Sequence, residues 1–158
     1  MATSAHAAAN QNAKSLPQDS ETEIRSLIEG WGDAIRDKDA TRLMQSFADD
    51  ALLFDLINPL QYEGSDAGRK RATEWLASFQ GPIDYRTRDL AIAASGDVAV
   101  CHMLNGVRGT TRDGHSIDMW WRATACLRKS DGRWTVTHQH SSVPFDMATG
   151  KASMDLQP

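Results

Sequence analysis

Long hydrophobic runs, a basic excess and a cysteine framework are all missing from this 158-residue chain. No apolar stretch approaches the roughly 20 residues a bilayer-spanning helix needs, which points to a soluble protein. Lysine and arginine number 17 against 21 acidic residues, without a dense basic run, which argues against nucleic acid as the main partner. Cys101 and Cys126 are too few and too far apart for a disulfide scaffold and fit reduced, packed thiols in a cytoplasmic protein. The opening MATSAHAAANQNAKSLPQDS lacks the basic and continuous apolar segments of a secretory signal, and residues 1–19 read as a flexible arm. What is present is a chain 41% apolar, long enough for one domain with its own core.

The patterning changes once along the chain. Ser20 and Glu23 have the spacing of a capping box, followed by Ile24, Leu27, Ile28, Trp31 and Ile35 at helical intervals. A shorter helix is expected from Asp39, carrying Leu43, Met44 and Phe47, and then a buried strand over 51–57 interrupted by Asp55. Gly64-Ser65 opens a third helix with Ala72, Trp75, Leu76 and Phe79 on one face, and Gly81-Pro82 closes it. Beyond that the period becomes two, with strands over 84–94, 97–107, 115–128 and 133–142 and turns at Ser95-Gly96, Asp113-Gly114 and Asp131-Gly132. Helices followed by a meander of long strands predict an α+β fold with an antiparallel sheet, covered or curled on one face.

Two strings carry a resemblance. F-A-D-D-A-L-L-F-D at 47–55 closes the two-helix opening, and R-A-T-A-C-L-R-K-S-D-G-R-W runs into H-Q-H-S-S-V-P-F-D over 122–146. Together they resemble the ketosteroid isomerase and SnoaL-like branch of the nuclear transport factor two superfamily, over roughly residues 20–146, leaving 147–158 as a C-terminal tail. A related string occurs in the association domain of calcium/calmodulin-dependent kinase. The resemblance implies a cone: a curved sheet wrapped around the N-terminal helices, with a pocket at the wide end. It does not imply one reaction, because a shared fold hosts many chemistries.

Asp55 is the sharpest candidate, because a carboxylate inside A-L-L-F-D-L-I is costly to bury without a partner or a role. The resemblance aligns it with the general base of ketosteroid isomerase, an enzyme whose carboxylate base and oxyanion hole are a standard worked case. The alternative is an aspartate capping local backbone near Asn58-Pro59. The same alignment sets Trp31 and Thr124 where that enzyme keeps its two oxyanion donors, so authentic steroid isomerisation is not expected. The isomerase register turns Asp118, Trp120, Arg122 and Thr124 toward the pocket, where Arg122 would stabilise an anion bidentately; the alternative puts Asp118 and Arg122 on a solvated face. Among five tryptophans, Trp31 and Trp120 are expected on the pocket wall, with Trp75 a further ligand contact.

Residues 138 and 140 form a His-x-His pair. If Lys129 to Gly132 make a four-residue loop, Leu127 faces Trp134, Arg122 faces Gln139 and Trp121 faces His140. His138 and His140 then share an outer face with Trp121, Ala125, Leu127, Trp134 and Val136, while Thr137, Gln139 and Ser141 turn inward. An outer face so apolar implies a covering partner, and the expectation is an isologous homodimer through Trp121, Trp134, His138 and His140. A metal site would need a third ligand such as His102, which the spacing does not require, so no metal and no cofactor are expected.

Three functions follow. The first is cofactor-independent proton transfer on a small carbonyl or polyketide-like compound, with Asp55 as general base (or acid). The second is a non-catalytic binder or sensor of a small, partly apolar molecule bearing a carbonyl or carboxylate. The third is an oligomeric association module.

Overall fold

The computed structural model describes residues 18–158; the expected arm over 1–19 lies almost wholly outside the described residues. Helix α1 (Gln18–Arg36) leads through Asp39 into the short α2 (Ala40–Met44), whose first turn is capped by the Asp39 carboxylate accepting from the Arg42 amide. Strand β1 (Phe47–Phe54), the two-residue β2 (Tyr62–Glu63) and helix α3 (Ser65–Ala77) complete the first half. Four long strands follow: β3 (Phe79–Ser95), β4 (Val98–Thr111), β5 (Ser116–Ser130) and β6 (Arg133–Ser142). With β1 and β2 they form one curved, unclosed six-stranded sheet in the order β2-β1-β6-β5-β4-β3.

All neighbours are antiparallel except β1 and β6, which run parallel, a pairing not foreseen from the sequence. No hairpin constrains that pair, since β1 joins the sheet at the end of the meander rather than within it. Boundaries also differ: Phe47 opens β1 instead of belonging to α2, and β1 ends at Phe54, so Asp55 follows the strand and does not interrupt it. Helix α1 begins before Ser20, so no capping box forms; the Glu23 carboxylate instead accepts from Trp134 Nε1 at 2.9 Å and Lys129 Nζ at 2.6 Å, tying α1 to the β5–β6 hairpin. Helix α3 stops at Ala77, and Gly81, at φ +68°, sits inside β3 where its register with β4 shifts.

The inner face of the sheet follows period two. Along β4 it carries Ala99, Cys101, Met103, Asn105 and Val107, all buried, and along β5 it continues with Trp121, Ala123, Ala125 and Leu127. Ile24, Ile28 and Trp31 of α1 fill the cone against these residues. Cys101 and Cys126 are free thiols on adjacent strands but opposite faces, one inside and one half-buried outside. Burial pushes the Cys101 thiol up to about 11. Among the described residues no helix is long and apolar enough to cross a membrane.

The β5–β6 hairpin corrects the expected pairing. Its loop is two residues, so Ser130 faces Arg133 and Leu127 faces Val136. Between Val136 and His138 the register shifts by one at Thr137, after which Cys126 faces His138, Ala125 faces Gln139 and Thr124 faces His140. A one-residue bulge reverses which side chains point inward. Trp134 and Val136 are therefore inside before the bulge, and Gln139 and Ser141 are inside after it.

Candidate functional site

The cone holds a half-open cavity of about 170 Å³. Its wall is mostly apolar and includes Trp31, Phe47, Leu53, Trp75, Met119 and Trp121. Polar atoms enter from Asp55, Arg71, Tyr85, Asn105, Gln139 and Ser141.

Asp55 immediately follows β1, where the strand leaves the sheet. Its Oδ1 accepts the Leu56 amide at 2.6 Å, and its Oδ2 accepts Arg71 Nε at 2.7 Å. The two side chains are only 24% and 20% exposed, so this is a sheltered ion pair on an otherwise apolar wall. Arg71 reaches it because Gly68, Arg71, Ala72 and Trp75 share the α3 face turned toward the cone, at three- and four-residue spacing. That spacing was visible in the sequence, but a charged residue among apolar ones is ordinarily assigned to the solvated side.

Trp31 is buried and lies on the wall, stacked on Phe47 with centroids 5.4 Å apart. Its indole N–H donates to Ser46 Oγ at 2.7 Å, so the donor aligned with the isomerase tyrosine is already engaged. Gln139, opposite Leu53 on β1, faces the cavity, as does Trp75.

The other expected pocket residues lie elsewhere. Asp118, Trp120, Arg122 and Thr124 occupy the outer face of β5, because Met119 and Trp121 take the inner one. Arg122 and Thr124 are exposed there and do not line the cavity. Asp118 is held between Arg86 at 2.6 Å and Arg108 at 2.9 Å, which keep its carboxyl below the usual range. The Arg86 guanidinium lies 4.6 Å from the Trp120 ring, and Trp120 Nε1 donates to Gln157 of the C-terminal tail. The ring itself covers Gly106, where a Cβ would come within 2.7 Å of it. This is a solvent-side cluster of structural contacts, and Arg71 stands in the cavity in place of Arg122.

Five residues of the expected outer face, Trp121, Ala125, Leu127, Trp134 and Val136, are instead inside. Trp134 is buried in the core, and Trp121 faces the cavity. The apolar stripe of β5 is the core face, so it does not call for a covering partner. His138 and His140 do lie outside, flanking Phe54 edge-on at 4.8 and 5.7 Å, with His138 Nδ1 2.8 Å from the Leu52 carbonyl. Among the described residues no three His, Cys, Asp or Glu side chains converge as metal ligands would.

Sequence reading overlooked Asn105 and Tyr85 as well as Arg71. Asn105 is 1% exposed and is the one polar residue in the inward register of β4 from Ala99 to Val107. Strand alternation alone could have singled it out. Burial drives the Tyr85 phenol well above its ordinary value, partly offset by a hydrogen bond with Thr87, so it is a neutral donor at physiological pH.

A family model described as a SnoaL-like domain matches residues 24–146. The solved structure of an NTF2-like protein of unknown function from Pseudomonas putida KT2440 is 38% identical, with a TM-score of 0.81 over 90% of this chain and 99% of that one. A protein from Streptomyces avermitilis, provisionally assigned as a dehydratase of the NTF2-like family, is 14% identical with a TM-score of 0.71, over 82% of this chain and 100% of that one. A protein from Novosphingobium aromaticivorans, provisionally assigned as an aromatic ring hydroxylase, is 20% identical with a TM-score of 0.71, over 80% and 90%. The last two show a shared fold alone. No curated protein matches the chain by sequence.

Proposed function

The chain belongs to the SnoaL-like domain family, and from that premise we propose that its cone binds a small, flat, largely apolar molecule and moves a proton on it through Asp55. One observation carries the reading: the sheltered Asp55–Arg71 pair stands on the wall of an aromatic cavity. A cavity of this order takes one ring or two fused rings. The aromatic walls favour a planar body, and the few polar groups fix its orientation.

In this reading Asp55 is the general base and Arg71 its positioning residue. The carboxylate takes the proton from a carbon next to a carbonyl, the C–H electron pair passes into the carbonyl to give an enolate, and the proton returns to a carbon of that enolate. No electrons are gained or lost, so no oxidant or reductant is required. Two of the carboxylate's lone-pair positions are occupied by the Leu56 amide and Arg71, which leaves the remaining ones for substrate.

The test uses 2-tetralone in deuterated buffer. Wild-type protein should speed deuterium uptake beside the carbonyl above the uncatalysed rate, and Asp55→Asn should abolish the acceleration while keeping the wild-type fold. Equal uptake with both proteins removes Asp55 from the chemistry. Binding without accelerated uptake supports the second reading, a non-catalytic ligand-binding protein on the same cone. A second copy covering the outer face, with His138 and His140 but without Trp121 and Trp134, is a further proposal that sedimentation would test.

A further inference from the structure

Asn105 is almost fully buried, yet one side of its amide is unused. Thr87 Oγ1 donates to Asn105 Oδ1 at 3.2 Å, while Nδ2 has no hydrogen-bond partner among the described residues. The residue is 1% exposed and lines the cavity. A buried, unpaired N–H costs the free protein the hydration of that group and adds nothing to its packing. A leucine at this place in β4 would continue the apolar register.

The surroundings define what Nδ2 would meet. Trp121 is directly across from Asn105 on β5, and Tyr85 lies 6.0 Å from Trp121 between ring centroids. Trp121 therefore flanks Asn105, and the Tyr85 ring, whose phenol burial keeps protonated, packs against Trp121. Cations are engaged elsewhere: Arg71 holds Asp55, and Arg36 donates to the Tyr85 backbone carbonyl and to Asp33. A full negative charge beside Asn105 would be buried without a counter-charge, whereas a neutral carbonyl needs only donors.

We propose that Asn105 Nδ2 is the anchoring donor for a carbonyl oxygen of the bound molecule, so that the ligand class is a flat cyclic ketone or enone held with its oxygen at β4. The assignment rests on the cone being a ligand pocket, as inferred above, but not on any turnover. Asn105 is then a specificity-determining residue.

The experiment compares 2-tetralone, its alcohol 2-tetralol and the parent hydrocarbon tetralin, with binding followed by quenching of tryptophan fluorescence. Wild-type protein should bind the ketone about three- to tenfold more tightly than tetralin, the range expected for one buried hydrogen bond. Asn105→Leu should bring ketone and hydrocarbon to near parity while leaving tetralin binding within about twofold. In wild-type protein the ketone, but not tetralin, should move the Asn105 side-chain amide signals in a ¹⁵N-correlated spectrum, a readout that needs no variant to fold. An unchanged ketone preference in Asn105→Leu, an unmoved Asn105 amide, or tighter binding of the alcohol than of the ketone would each overturn the assignment. If neither ketone nor hydrocarbon enters the wild-type protein, the pocket reading fails and takes this one with it. If the ketone preference tracks Asn105 but Asp55→Asn leaves deuterium uptake unchanged, the anchor stands and only the acid–base role of Asp55 falls.

Discussion

Arg71 Nε lies 2.7 Å from Asp55 Oδ2, joining the middle of α3 to the point where β1 leaves the sheet. Each side chain is sheltered enough that losing its partner leaves a charge poorly solvated, though water still reaches both. The expected cost therefore falls between that of an exposed pair and that of a fully buried one. Arg71→Met and Asp55→Asn should each lower unfolding free energy by about 1–2 kcal/mol. The double variant should be about 1 kcal/mol better than the sum of the two, because neither charge is then stranded. Urea denaturation of all four proteins measures this, and strict additivity would mean that the pair is not coupled.

Glu23 links α1 to the β5–β6 hairpin, and its carboxyl is held below the ordinary value chiefly by Lys129, with Trp134 adding a hydrogen bond. A depressed carboxyl contributes stability that is fully present above its unfolded pKa, about 4.3. That contribution is lost as pH falls through the lower folded value. Wild-type protein should therefore lose melting temperature more steeply than Glu23→Gln below about pH 4. Asp113, Asp118 and Asp146 are depressed too and act in the same window, so the difference between the two proteins isolates Glu23. Parallel melting curves against pH would show that the contact contributes nothing in solution.

Much of the fold was legible because its signals are local. Helical spacing from Ile24 to Ile35, the Gly64-Ser65 start and the Asp-Gly turns each depend on a few neighbouring residues. The sidedness of β5 was not local. Asp118, Trp120, Arg122 and Thr124 alternate as regularly as Met119, Trp121, Ala123 and Ala125, and the polar row was assigned to the cavity by alignment rather than by hydropathy. Gln139 reached the cavity wall through two reversals that cancel: the shorter loop keeps parity but the inner face of β5 is the one expected outside, and the bulge at Thr137 exchanges the faces of β6 again beyond it. Arg71 was passed over because a charged residue in an apolar helical register is ordinarily taken as a surface residue, and the cavity it lines is what distinguishes it; Asn105 was legible as the polar member of an alternating apolar row of β4.

Gly68 tests whether the space in the cone is needed. A Cβ there would come within 2.6 Å of Met44 Cε and 2.7 Å of Leu53 Cδ1, the free ends of two flexible side chains on the cavity wall. Both ends are able to shift into the cavity. Gly68→Ala also gains helix propensity of about 1 kcal/mol, so net stability should stay within about 1 kcal/mol of wild type. Ligand capacity should shrink even so, with 2-tetralone binding weakened more than a single-ring ketone such as cyclohexanone. Equal effects on both would mean that the ligand lies away from α3.

Thr137 is the residue by which β6 exceeds its partner, and its removal gives the sharpest test of sidedness. In a regular strand, deleting one residue turns every later side chain to the opposite face, which would drive His138 and His140 into the core and Gln139 outward. Here the deletion removes the extra residue itself. Val136 would be followed directly by His138, with Val136 still opposite Leu127 and His138 still opposite Cys126. The Thr137 Oγ1 contact to the Cys126 carbonyl and the local twist are lost, at a cost of about 1–3 kcal/mol. The shortened protein should therefore unfold cooperatively in urea, below wild type by that amount. Cysteines introduced singly at 139 and 140 should keep their labelling contrast, with 140 modified quickly and 139 slowly in both backgrounds. Reversed labelling in the shortened protein would show that β6 runs without the bulge and that Gln139 owes its inward position to something else.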